Sequence, residues 1–258
     1  EEREFLLDET SIFKVLDHRN IIKHIETIEN KSFLYIITEL VSDGDLFDYV
    51  LRNEFLEEIE AQVVMKQLLE CLNYLEDTGV IHRDLKPENI LIMLDQTTHQ
   101  IKDIKLIDFG FAKFVLENHK LFEACGTPNY AAPEVYMNKG YDQRADVFSV
   151  GIIMHFLLNG TLPFDANELE VIIEKTVIED LFLEGKFWDN ISEEAKDLLY
   201  RLLDKDPNYR IKVKEALEHP WIKKPKEQLQ DLCGCNFRCK KESSKTRVKS
   251  QIGERKLQ

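Results

Sequence analysis

Hydrophobic residues recur every three to four positions through several long stretches of this chain, and that period predicts helices. In "LEEIEAQVVMKQLLECLNYLEDTG", Leu56, Ile59, Val63, Leu68, Leu72 and Leu75 fall near one face, and Gly79 supplies the stop. The opening "EEREFLLDETSIFKVLDHRNII" reads as a helix already under way, with Phe5, Ile12, Phe13 and Leu16 at roughly helical spacing. "RADVFSVGIIMHFLLNG" is apolar all round, which predicts a central buried helix ending at Gly160. "SEEAKDLLYRLL" begins with Ser192 followed by acids, a favourable helix start. Strands are few and short. "FLYIIT" (Phe33–Thr38) is apolar and β-branched, and "NILIM" and "IKLID" lie on either side of a polar turn. Periodicity ends after "HPWI", and the remainder, rich in Lys, Ser and Arg, reads as a flexible tail. No repeat is visible.

Composition narrows the class. The longest apolar run, "VGIIMHFLL", is too short and interrupted to span a bilayer, so a soluble protein without a transmembrane segment is expected. Five cysteines, two of them isolated, do not make a secreted disulfide framework, and a reducing, cytoplasmic setting is expected. The net charge of −14 is unevenly spread. From Ile222 onward Lys and Arg outnumber Asp and Glu by 11 to 4; residues 1–221 hold 23 basic against 44 acidic groups. An acidic body repels phosphates, which argues against nucleic acid as a partner. It either attracts basic peptides or simply keeps the surface solvated.

The chemistry sits between the long helix and the strands. "HRDLKPEN" (His82–Asn89) fits the H-R-D-L-x-x-x-N catalytic-loop pattern in every fixed position. "DFG" follows at Asp108–Gly110, and "GTPNYAAPE" ends in Ala132–Glu134. Three such motifs in this order and spacing are highly specific, and to about Trp221 the chain resembles the eukaryotic protein kinases. Lys86 resembles the serine/threonine type. The resemblance implies an α+β kinase-like fold: a mainly helical large C-lobe and a truncated, β-rich small N-lobe beginning at its regulatory helix. The implied divisions are 1–38 (partial N-lobe), 39–45 (hinge and cleft edge), 46–222 (C-lobe) and 223–258 (basic, Cys-containing tail).

The same resemblance implies ATP and Mg2+ as cofactors and assigns roles. Asp84 would accept or orient the substrate hydroxyl proton. Lys86 would offer a point charge to the migrating phosphate. Asn89 and Asp108 would hold magnesium through hard oxygen ligands. Thr38 looks like the gatekeeper, Glu39 to Val41 the adenine-binding hinge, and Leu91 the floor under the ring. Asp45 would meet ribose or a basic substrate residue. His82 and Phe109 resemble a stacked structural pair, and Glu134 and Arg210 a buried ion pair. His24 departs from the pattern: it stands where the family's hydrophobic column usually has an apolar residue.

"DGDLFDYV", "EEAKDLLYRLLDKDPNYRI" and "EALEHPWI" look most like the calcium/calmodulin-dependent and calcium-dependent kinases. Asp45, Glu88 and Glu174 match positions where basophilic kinases receive a basic residue, which implies protein substrates with Arg-x-x-Ser/Thr. Thr127 resembles the family's substrate-loop threonine, expected to bond Asp84 or Lys86. Glu123 lies where many kinases carry a phosphorylated residue; it either pairs with Arg83 in place of a phosphate or is a solvated acid. Cys233, Cys235 and Cys239 leave zinc, lipidation and plain surface thiols open. The tail, with Ser243 and Ser250 three residues after a basic one, is open as an autoinhibitor, a substrate, a calmodulin-binding segment or disordered chain. Glu9 aligns with the helix glutamate that pairs with a strand lysine, yet no such lysine precedes it and the first glycine is Gly44. Two readings therefore stand: an ATP-dependent serine/threonine kinase whose first strands lie outside this sequence, and a short, catalytically weak pseudokinase or scaffold.

Overall fold

A computed structural model describes residues 11–116 and 119–223 of the chain. Glu9, the three clustered cysteines and the rest of the tail lie outside the described residues. Helix α1 is seen at residues 11–15, where Ile12 and Phe13 are buried. It leads into a hairpin of β1 (His24–Glu29) and β2 (Leu34–Thr38), paired antiparallel with a bulge between His24 and Glu26. Asn30 shapes the turn: its side-chain oxygen accepts the Ser32 and Phe33 amides at 2.9 and 2.8 Å.

Beyond Thr38 the chain becomes mainly helical. Helix α2 (Leu46–Asn53) starts at Asp45, whose carboxylate caps the Asp48 amide at 2.8 Å. Helix α3 (Glu58–Asp77) buries Val64, Met65, Leu68, Leu69 and Leu72 and stops before Gly79, whose φ of +72° suits glycine. Three strands then frame the catalytic loop: β3 (Val80–Ile81), β4 (Ile90–Leu94) and β5 (Ile101–Leu106), with β4 and β5 antiparallel. A short β6 (Lys113–Phe114) pairs with β3.

Helix α4 (Pro133–Tyr136) closes the stretch from Asp108 to Glu134, which corresponds to the activation segment of the kinases that the chain resembles, and α5 (Arg144–Asn159) runs through the core. Every residue of α5 from Ala145 to Leu158 is buried, as its all-round apolarity predicts. Gly160 ends it at φ +71°, a left-handed cap. Helices α6 (Leu169–Ile178), α7 (Glu193–Leu202), α8 (Val213–Leu217) and α9 (Pro220–Lys223) complete the lobe. Ser192 caps α7 through the Ala195 amide at 3.2 Å. Buried Glu58 ties three distant elements together, accepting from the Ser192 amide (2.7 Å), the Ser192 hydroxyl (2.6 Å) and Trp221 Nε1 (2.8 Å). No described helix is long and apolar enough to cross a membrane.

Candidate active site

The catalytic loop is anchored from below. Asp146, in the first turn of α5, accepts the backbone amides of His82 at 2.7 Å and Arg83 at 2.9 Å. This anchor was missed in the sequence; an acid opening an otherwise apolar helix was its only signal. His82 is fully buried, and burial pushes its imidazole below the ordinary value. A neutral ring with Nε2–H donating to Ile107 O (3.3 Å) and Nδ1 accepting from the Asp84 amide (3.2 Å) satisfies both nitrogens.

Asp84 is 4% exposed, and donors crowd its carboxylate. Oδ1 accepts from the Thr127 amide (2.8 Å) and the Thr127 hydroxyl (2.7 Å). Oδ2 accepts from Lys86 Nζ (2.8 Å) and Asn89 Nδ2 (3.2 Å). Lys86 also reaches Thr127 Oγ1 at 2.9 Å. Burial alone would raise the Asp84 carboxyl, but the Lys86 and Thr127 hydrogen bonds outweigh it and hold the pKa below the ordinary aspartate value. The group is therefore held as a carboxylate, able to accept a hydrogen bond from a hydroxyl brought to it. An incoming hydroxyl must share Oδ1 or displace Thr127 from it. Gly126 permits this closeness: its φ is +89°, and a Cβ there would lie 2.3 Å from the Arg83 carbonyl.

Asp108 is exposed, with φ +61°; Arg83 has φ +69°. Left-handed backbone at non-glycine residues is uncommon and clusters at functional sites. The Asn89 side-chain nitrogen donates to Asp84 Oδ2 and, at 2.9 Å, to the Asp84 carbonyl, which leaves the side-chain Oδ1 of Asn89 for another ligand. That oxygen and the Asp108 carboxylate make a hard donor set that fits a small divalent cation sharing its shell with phosphate oxygens. No cluster of three or more His, Cys, Asp or Glu side chains converges as a metal cage among the described residues.

Behind Asp108, Phe109 is fully buried and its ring lies 4.9 Å from His82. The stack continues to Phe13 at 5.2 Å and from Phe13 to His24 at 6.2 Å. Phe13 reads in the sequence only as one of the apolar positions of a helix; its place as the link in this stack is not legible there. Glu134 and Arg210 pair at 2.6 and 2.9 Å, both buried.

Glu123 accepts from Arg83 Nη1 at 3.1 Å and from Lys113 Nζ at 3.0 Å, and these bonds, Lys113 first, hold its carboxyl below the ordinary value. Tyr141 joins them, donating to the Glu123 carbonyl at 2.6 Å. Lys113 and Tyr141 were not singled out in the sequence, because neither belongs to a recurring motif.

The other predicted residues are more dispersed. Thr38 ends β2 opposite His24. The Glu39 amide donates to the Lys23 carbonyl (3.0 Å), and its carboxylate accepts from Lys105 (2.6 Å) and the Lys23 amide (2.9 Å), so its carbonyl is the group left for a ligand. Leu40 is exposed, whereas Val41 packs on the core. Asp45 bridges Leu91, so both border one edge, but one Asp45 oxygen is engaged as the α2 cap. Glu88 is half-buried in the turn after Lys86, and Glu174 is exposed on α6.

Comparison with known proteins agrees with this geometry. The protein kinase domain profile matches residues 1–222. The chain belongs to the protein kinase domain family. It is 40% identical over 221 residues to calcium-dependent protein kinase 5 of Plasmodium falciparum (isolate 3D7), covering 86% of this chain and 38% of that protein. It is 39% identical over 225 residues to calcium/calmodulin-dependent protein kinase type 1 of Caenorhabditis briggsae, covering 85% and 60%. Serine/threonine-protein kinase DCLK3 of Mus musculus is 40% identical over 219 residues, covering 83% and 27%. The kinase chain thus spans less than two thirds of each of these relatives and is most similar to the calcium- and calmodulin-dependent group.

Proposed function

We propose that this chain is the catalytic part of an ATP-dependent protein serine/threonine kinase. The observation that carries the reading is the Asp84 carboxylate held by Lys86, Thr127 and Asn89 within 3.2 Å. Bound Mg·ATP supplies the transferable phosphoryl group and the charge that neutralises it. Asn89 and Asp108 hold the metal, Asp84 orients the acceptor hydroxyl and takes its proton, and Lys86 offsets charge on the moving phosphate. Thr38, the Glu39 carbonyl, Val41 and Leu91 border the adenine. Substrates carry basic residues before the target Ser or Thr, received by Asp45, Glu88 and Glu174; the net acidity of the body supports this. Glu123 stands in for a phosphate on Arg83, so activity needs no phosphorylation of the activation segment.

Calmodulin and the chain's own basic tail, residues 223–258, are the regulatory partners to test, the first because one relative is named as calcium/calmodulin-dependent. A cytoplasmic location fits the reading. The test is magnesium-dependent phosphate transfer to a peptide array by the full-length protein. Asp84→Asn is expected to lower kcat by about 10²–10⁴-fold, and the preferred peptides are expected to be Arg-x-x-Ser/Thr. A preference for Pro or acidic residues would overturn the specificity. Absence of transfer by the unaltered protein would favour the pseudokinase reading.

A further inference from the structure

Little apolar packing holds helix α6 in place. Of its ten residues only Ile172 and Thr176 are buried, and Glu168 makes no side-chain cap at its start. Lys175 ties it to the preceding loop, Nζ donating to the Asp165 carbonyl at 3.1 Å. At the other end the Glu179 amide closes on the Lys175 carbonyl at 2.9 Å, which leaves the later carbonyls of the last turn without a partner inside the helix. The Thr176 carbonyl belongs to a residue only 1% exposed, so it needs a donor from the protein itself. That donor comes from 29 positions along the chain: Lys205 Nζ, at 2.6 Å.

The ammonium is fixed from its other side by two buried rings. It lies 3.6 Å from the centroid of Phe164 and 6.0 Å from that of Phe148, and the rings stack on each other at 6.4 Å. A cation over a desolvated aromatic face is held more firmly than one at an exposed site. Burial pushes the Lys205 ammonium down to about 8, against the pull of Asp180 and Glu179. Its acceptor is a carbonyl at the negative end of a helix, where a cation is favourable. The Thr176 hydroxyl has no partner among the described residues, so the tie to α6 runs through the backbone. Glu174 stands exposed on the same turn, two residues before that carbonyl.

We propose that Lys205 is the C-terminal cap of α6 and, through the helix backbone, a positioning residue for Glu174. The ammonium docks on Phe164 and grips the Thr176 carbonyl, and the turn so fixed carries the Glu174 carboxylate. The specificity arm of the test rests on the reading that Glu174 receives a basic substrate residue; the cap itself does not.

The experiment compares the full-length protein with Lys205→Met, Thr176→Val, Glu174→Gln and the double variant Lys205→Met/Glu174→Gln. One readout is amide exchange in α6 and α5. The other is kcat and KM for an Arg-x-x-Ser peptide and for the same peptide with its Arg replaced by Ala. Lys205→Met keeps an unbranched chain on Phe164 and removes the donor. It is expected to speed exchange at the end of α6 about tenfold, the effect of one charge-assisted hydrogen bond, with α5 unchanged. KM for the Arg peptide is expected to rise about three- to fivefold, the size of one exposed ion pair, with kcat and the KM of the Ala peptide unchanged. Thr176→Val leaves the carbonyl in place and is expected to match the unaltered protein. With Glu174→Gln in place, Lys205→Met is expected to add nothing to KM. Equal rises in KM for both peptides, additive effects in the double variant, exchange that is unchanged or quickened equally in both helices, or a Thr176→Val that mimics Lys205→Met would overturn the proposal. If Glu174→Gln alone leaves the KM of the Arg peptide unchanged, reception at Glu174 fails; if the unaltered protein transfers no phosphate, the phosphotransfer reading fails. In either case the exchange data alone decide whether Lys205 caps α6.

Discussion

Two ion pairs of this chain show how burial decides what a charge does. Glu134 and Arg210 are almost fully enclosed, and the guanidinium also donates to the Asp204 carbonyl (2.9 Å) and the Arg144 carbonyl (2.6 Å). Arg210→Met strands a buried carboxylate and is expected to cost about 3–5 kcal/mol in urea denaturation. Glu134→Leu combined with Arg210→Met should recover only part of that loss, because the two carbonyls still lack a donor. The Arg83–Glu123 pair is asymmetric instead: the Arg83 side chain is 2% exposed and that of Glu123 48%. Water screens the carboxylate, so Glu123→Ala should change stability little. It removes, however, the anion that meets the buried guanidinium. A drop in kcat of about tenfold is expected, the effect of one charge-assisted hydrogen bond. Unchanged activity would mark Glu123 as a solvated acid.

At the scale of elements, close approach of helices sets the limits. A Cβ on Gly151, in the middle of α5, would lie 2.8 Å from Leu203 Cδ2 and 2.9 Å from Leu202 Cβ. The Leu203 tip can swing aside, but Leu202 Cβ is tied to the backbone of α7. Alanine gains about 1 kcal/mol of helix propensity over glycine, and overpacking costs about 1–3 kcal/mol, so Gly151→Ala should lower the melting temperature. A rise would show that α7 yields. The elements most legible in the sequence are those with a local signal. The apolar period of α3, the all-round apolarity of α5 and the Ser192 start of α7 each rest on neighbours in the chain. Contacts between remote residues carry no such period. Glu58 reads as one more acid at a helix start, yet it is buried because Ser192 and Trp221, 134 and 163 residues away, donate to it. The same contrast runs through the site: the catalytic loop and DFG are contiguous motifs, whereas Asp146, Phe13, Lys113 and Tyr141 act only through folding.

Over the whole molecule, the response to acid follows from histidines that fold in the neutral form. His155 interrupts the longest apolar run of the chain, packs 5.1 Å from Trp188 and has its Nδ1 2.8 Å from the Thr161 carbonyl. Burial pushes its pKa down to about 4 from an ordinary 6.5. Burial also pushes His82 and His18 down. Between those two values the unfolded chain binds a proton on residue 155 that the folded chain refuses, so stability rises with pH across this window and is lost as pH falls through it. The single group is expected to remove about 2 kcal/mol between pH 7.5 and pH 5. The depressed carboxyls of Asp84 and Glu123 act in the same direction at lower pH, because their stabilisation is present above the ordinary carboxyl pKa and is lost as pH falls through the folded value. His155→Phe separates these contributions. It forfeits the bond to Thr161, so it should start slightly less stable at pH 7.5. Its urea midpoint should then fall more gently than that of the unaltered protein down to pH 5, and the two curves should converge. Parallel curves across that range would show that residue 155 already takes up its proton in the folded chain, by opening of the α5 end around Gly160, and the acid sensitivity would then belong to His82 and the carboxylates.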